Sequence, residues 1–161
     1  MKSQVLIHCS DQVQISNVPD LKKLLRMMAN DHGWDSFQIS IAMLSDAEIR
    51  EINKEFLNHD YATDVISFNL GEGDDVLEGE IVVSVDTART ASEKVGWPLE
   101  DELTLYVIHG MLHILGYRDG TLDEKNEMRF EERHYLEAMQ IRGWERHPSR
   151  GDAESDSQSS D

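Results

Sequence analysis

Leu99-Glu100-Asp101-Glu102-Leu103-Thr104-Leu105-Tyr106-Val107-Ile108-His109-Gly110-Met111-Leu112-His113-Ile114-Leu115 decides how this chain folds. Apolar side chains occur nearly all round its helical wheel, and a helix without a polar face has to be enclosed by protein. The stretch therefore predicts a buried central helix. Pro98 suits an early position, where a backbone N–H is not needed, and Glu100, Asp101 and Glu102 stand near the positive end of the helix dipole. Glu102, two turns before His109, belongs to that charged first turn. Gly116 ends the helix.

Working outward, short β-branched runs predict strands at Glu80–Val85 and Val65–Phe68, and Phe37–Met43 alternates as a half-buried strand does. Val5-Leu6-Ile7 and Val13-Gln14-Ile15 are shorter strand-like runs. Between them, Asp20 followed by Leu21, Leu24, Leu25 and Met28 marks an amphipathic helix ending near Gly33. Ser45 with Glu48 forms a capping box for a helix through Ile49, Ile52 and Phe56. Asp86 opens another, stopping at Gly96, and Thr121 with Glu124 caps a last long helix running to about Ile141, before Gly143. These elements predict an α/β (α+β) fold: a small mixed sheet of about four strands flanked by helices.

The 161 residues suit a single domain over 1–146, followed by an acidic tail at 147–161 with almost nothing to bury, read as disordered. Residues 150–161 account for −3 of the net charge of −17, which leaves −14 on the remainder. Acidity on that scale counts against non-specific nucleic-acid binding and leaves room for a local basic patch or a protein partner. The lone Cys9 cannot close an internal disulfide, and no apolar run approaches the roughly 18 residues of a membrane helix. The start, Met1-Lys2-Ser3-Gln4, leads directly into a strand-like run, so a cytoplasmic protein without membrane partners is expected.

Chemistry concentrates in His109-Gly110-Met111-Leu112-His113-Ile114-Leu115-Gly116-Tyr117-Arg118-Asp119. Histidines four apart share one helix face, so both imidazoles can address one ion. Gly116 can take the left-handed conformation that turns the chain back, which lets Asp119 offer a carboxylate as third ligand. Three protein ligands with a fourth position open are the arrangement of catalytic zinc. Either histidine alone reads as a core residue; the ordered set reads as a zincin-like metal site on the central helix, holding one Zn2+. Zinc proteases carry Glu directly after the first histidine as general base, and Gly110 here argues against peptide hydrolysis.

With those residues in view, most of residues 40–135 resembles the YbeY family of single-strand-specific endoribonucleases that act in ribosomal RNA maturation. The family signature His-Gly-x-Leu-His-x-x-Gly-Tyr is matched from His109 to Tyr117. A second family segment, an Asn-containing helix leading into Asp-x-Pro-Thr-Asp-Val-Leu-Ser-Phe, is similar to Asn53 through Asp60-Tyr61-Ala62-Thr63-Asp64-Val65-Ile66-Ser67-Phe68. The resemblance implies a metal-dependent nuclease with single-stranded rRNA as substrate and the ribosome or ribosomal proteins as partners. Three departures stand out: Asp119 replaces a third histidine of many members, Ala62 replaces a proline, and Leu57 replaces an arginine associated with catalysis. Leucine cannot stabilise developing phosphate charge, so either another cation, Arg89 or Arg118, takes that role or the nuclease activity is weak or altered.

Asp64 and Ser67 can reach the site from the loop and strand, or serve as turn residues. His59 reads as a solvated loop histidine and His134 as part of a charged helix face. Arg118, Arg129 and Arg133 form either a basic rim beside Asp119 or, with Glu131 and Glu132 adjacent, a solvated ion-pair surface. Two other functions fit the composition: a metallohydrolase of another substrate such as peptide, and a ribosome-associated binding protein with a structural metal.

Overall fold

The structure is a computed structural model, and it describes residues 3–10, 15–57, 65–70 and 75–144, with the side chains of 56 and 57 excepted. In chain order the elements are β1 (Gln4–Cys9), α1 (Val18–Asp31), β2 (Phe37–Leu44), α2 (Asp46–Leu57), β3 (Val65–Asn69), β4 (Leu77–Ser84), α3 (Val85–Val95), α4 (Leu99–Ile114) and α5 (Leu122–Ala138). The strands form one sheet in the order β1-β2-β4-β3. β1, β2 and β4 run parallel, while β3 pairs antiparallel with β4. The expected mixed four-stranded α/β architecture is the observed one. The strand expected at Val13–Ile15 falls mostly outside the described residues, and Ile15 only packs against the core.

Period-two alternation sends Ile7, Ile41 and Ile81, aligned across three strands, to one face, together with Met43 and Val83. α1 contributes Leu21, Leu24, Leu25 and Met28 to the same core, and α4 contributes Leu103, Leu105, Ile108, Met111 and Leu112. The opposite face carries a smaller cluster, in which Ile66 and Val82 meet Ile49 of α2. α4 is therefore enclosed as expected, with eleven of its sixteen residues buried.

Two glycines set how closely α4 approaches the sheet. A Cβ on Gly110 would stand 2.8 Å from Ile81 Cγ2 and 3.3 Å from Val65 Cγ2, and one on Gly79 would stand 2.6 Å from Ile114 Cδ1. The position that holds glutamate in zinc proteases thus faces the sheet here, with no room for a side chain. The close approach lets Asn69 of β3 donate to the carbonyl of Ile114 at 3.2 Å.

Helix ends follow the capping chemistry with three adjustments. Pro98 is the N-cap of α4 in an extended conformation, one step outside the helix. α1 starts at Val18, with Pro19 in its first turn. α5 stops at Ala138, short of Ile141: Gln140 adopts φ 63°, and Ile141 N–H donates to Leu136 O at 2.9 Å. That is the turn glycine usually makes, and because Gln140 makes it here the helix ends three residues before the expected Ile141. Both expected capping boxes form, Thr121 with Glu124 and Ser45 with Glu48. No described helix is long and apolar enough to cross a membrane.

Candidate metal centre

The last two turns of α4 present His109 and His113 side by side, with ring centroids 4.7 Å apart and planes at 81°. The helix then closes as its sequence predicts: Gly116 takes φ 110°, its N–H donates to His113 O, and Tyr117 N–H donates to Leu112 O at 2.9 Å. That reversal returns Asp119 to the histidines. Its Oδ2 lies 3.5 Å from His109 Nε2 and 3.4 Å from His113 Nε2, and the two Nε2 atoms are 3.2 Å apart. The three predicted ligands converge on one point, a grouping that can hold a metal ion.

The spacing agrees with that use. Ligand atoms about 2.0–2.1 Å from a tetrahedral ion stand about 3.3 Å from one another. The three donors therefore occupy one face of such a tetrahedron. Of the three donors Asp119 is the most exposed, its side chain 42% accessible against 14% for His109.

Which ring nitrogens face the ion is fixed from behind. His109 Nδ1 lies 2.6 Å from Glu132 Oε2, and His113 Nδ1 lies 3.1 Å from the carbonyl of Tyr117. A carboxylate and a carbonyl can only accept, so each Nδ1 is a donor; in the neutral imidazoles each Nε2 lone pair is then available to an ion, and in protonated His113 the Nε2–H donates to Asp119. The Asp119 carboxyl is held down to about 2, first by its hydrogen bond with His113, and with help from the charges of His109 and Lys125. The same hydrogen bond raises His113 above the ordinary histidine range, against the opposing effect of burial.

Glu132 corrects the sequence reading. It is not part of a solvated ion-pair surface but fully buried, on the stripe Met128, Glu132, Tyr135, Leu136 that α5 turns toward the core. Its 4, 3, 1 spacing along that stripe was the available signal, masked by Glu131 and Arg133 on either side. Glu102 is likewise buried, where it accepts from Trp97 Nε1 at 2.7 Å; it stays out of the metal site, as expected.

The other candidates separate. Ser67 lies on the α4 side of the sheet by alternation, between Val65 against Gly110 and Asn69 at Ile114. Arg89 pairs with Asp86 at 3.5 Å at the start of α3. Arg118 is exposed beside the turn, and Arg133 pairs with Glu137 at 3.1 Å. Lys125, which sequence reasoning passed over, is a cation whose charge reaches Asp119. Asp64, His59 and Ala62 lie outside the described residues, as does the side chain of Leu57.

Fold and site together define an α/β protein whose central helix and following turn build a three-donor pocket able to hold one metal ion. The chain belongs to the YbeY family: the family model described as Endoribonuclease YbeY matches residues 7–140. A relative from Bacillus licheniformis named Endoribonuclease YbeY is 38% identical over 129 residues, covering 73% of this chain and 82% of that protein. One of the same name from Syntrophus aciditrophicus is 50% identical over 103 residues, covering 60% of this chain and 61% of that protein. Among solved structures, the solution structure of TM1509 from Thermotoga maritima superposes with TM-score 0.65 at 28% identity, covering 84% of this chain and 89% of that one.

Proposed function

We propose that this protein is a zinc-dependent endoribonuclease of the cytoplasm that cleaves single-stranded RNA during ribosomal RNA maturation. Membership of a family described as endoribonucleases supports the reaction class. The observation that carries the metal is the convergence of His109 Nε2, His113 Nε2 and Asp119 Oδ2 within 3.2–3.5 Å of one another. Two imidazoles with one carboxylate suit zinc better than magnesium or calcium, which prefer oxygen donors throughout.

When bound there, the ion supplies a Lewis acid for the scissile phosphate and lowers the pKa of water toward neutrality. The chain's own residues do the rest. Glu132 and the Tyr117 carbonyl hold the Nδ1 protons, so that both imidazoles keep one tautomer and one orientation. Asp119, the one anionic donor of the three, would neutralise part of the ion's charge. The charge of Lys125 contributes to holding the Asp119 carboxyl low, which makes it a candidate cation for the site. Gly110 leaves the peptidase base absent from its usual place, which favours RNA over peptide as substrate. The net charge of −17 suits basic ribosomal proteins as partners.

Incubation with unstructured RNA, structured RNA and casein, before and after chelation and zinc repletion, tests the reading. Zinc-restored cleavage of the unstructured RNA alone is expected; zinc-restored cleavage of casein contradicts it. Lys125→Ala is expected to slow RNA cleavage while leaving zinc content unchanged.

A further inference from the structure

Behind the metal site, the C-terminal end of α1 touches Tyr117, whose carbonyl orients His113, and Tyr135, one turn from the Glu132 that orients His109. His32 Nδ1 donates to the carbonyl of Met28 at 2.8 Å, which leaves Nε2 as an acceptor, and Tyr117 Oη lies 2.9 Å from it. The two rings meet edge to face with centroids 5.5 Å apart. Tyr117 is the residue whose carbonyl holds His113 Nδ1, and it lies two positions before Asp119. Next to His32, Asp31 accepts a 2.8 Å hydrogen bond from the hydroxyl of the buried Tyr135. Tyr135 is one turn along α5 from Glu132, which holds His109. Two consecutive residues at the C-terminal end of α1, Asp31 and its C-cap His32, 104 and 85 positions away from their partners, thus fasten the two arms that aim the imidazoles.

We propose that Asp31 and His32 are positioning residues for the metal site, acting through Tyr135 and Tyr117. The inference rests on the proposal that His109, His113 and Asp119 hold zinc. The reasoning is geometric. Each tyrosine hydroxyl ties an element that carries a support of the histidines to the C-terminal end of α1. The tether joins the helix-closing bonds and the His113–Tyr117 contact in setting the path of the turn 115–119, and α5 must keep its register for Glu132 to meet His109. Loosening either tether spreads the donor atoms and weakens the ion's hold without removing a ligand.

The test uses the full chain with zinc, titrated against a chromophoric chelator, together with thermal melting of the chelator-stripped protein. Tyr117→Phe and Tyr135→Phe remove one oxygen each and keep the rings. Each is expected to weaken zinc binding by roughly tenfold, the lower end of what outer partners of metal-bound histidines contribute. His32→Phe is expected to match Tyr117→Phe, and the double variant to lose no more than either single one. Asp31→Asn, which still accepts from Tyr135, is expected to retain most of the affinity that Asp31→Ala loses. Unchanged zinc affinity in both tyrosine variants, whether or not the stripped protein melts earlier, overturns the proposal, because a purely structural role predicts that pattern. Failure of the wild-type protein to bind zinc overturns the metal-site reading instead, so the two failures are distinguishable.

Discussion

Glu132 accepts a 2.6 Å hydrogen bond from His109 Nδ1 across the α4–α5 interface, and it does so with no exposed surface of its own. A buried carboxylate is costly unless a donor compensates it, so this contact commits both helices to one arrangement. It also makes the imidazole a stronger ligand by drawing its Nδ1 proton toward negative charge.

Removing that carboxylate separates orientation from ligation. Glu132→Gln keeps an acceptor without the charge, and a roughly 10-fold loss of zinc affinity is expected; Glu132→Ala should lose nearer 100-fold. Chelator competition measures both. Equal affinities for wild type and Glu132→Ala would show that the contact is incidental.

The third ligand tolerates exchange. Asp119→His exchanges the carboxylate for an imidazole, an equally good zinc ligand, and zinc binding should be kept or tightened. Asp119→Ala should release the ion at micromolar chelator. Retention of one zinc per chain in Asp119→Ala, measured by elemental analysis after gel filtration, removes Asp119 from the ligand set.

Gly110 is fixed by space, not by backbone conformation. Gly110→Ala places a Cβ 2.8 Å from Ile81 Cγ2, a branch close to the strand backbone that cannot swing away. Overpacking of this kind costs about 1–3 kcal/mol, against about 1 kcal/mol regained in helix propensity. A net loss is expected in denaturant unfolding, smaller when combined with Ile81→Ala because the two changes share one contact. A more stable Gly110→Ala protein would mean that α4 lies farther from the sheet.

Acid should release the metal early. His113 carries a raised pKa, so a proton competes with the ion for Nε2 at higher pH than for an ordinary histidine. Zinc affinity is expected to fall as pH drops through and below neutrality. In the stripped protein the signs differ. The raised His113 stabilises the fold below its unfolded value of 6.5, and that contribution is lost as pH rises through its folded pKa. The lowered Asp119 stabilises it above 3.8, a contribution lost as pH falls toward about 2. Thermal melting of stripped protein should therefore show the pair's contribution between those limits, and Asp119→Asn should flatten it.

Much of this was legible in the chain because the signals were redundant. α4 was marked by apolar residues on every side, a proline before it and Gly116 after it, and the His-x-x-x-His spacing fixed two ligands without any tertiary information. Asp119 followed from the glycine turn. Glu132 was hidden because charged neighbours on both sides outweighed its place on a four-residue buried stripe, and only packing against His109 distinguishes it from Glu131. His32 and Asp31 were beyond reach for a different reason: their partners lie 85 and 104 residues away, and no local pattern encodes such pairings. Gln140 shows the converse limit, since a left-handed residue other than glycine leaves no mark in the sequence.

The most direct test is to strip the purified protein of metal, add zinc in steps from zero to two equivalents, and follow cleavage of a labelled unstructured RNA, with His113→Ala in parallel. Activity that is absent after stripping, returns and saturates at one zinc per chain, and never appears in His113→Ala is the predicted result. Undiminished cleavage by the stripped protein, or by His113→Ala, would contradict the account.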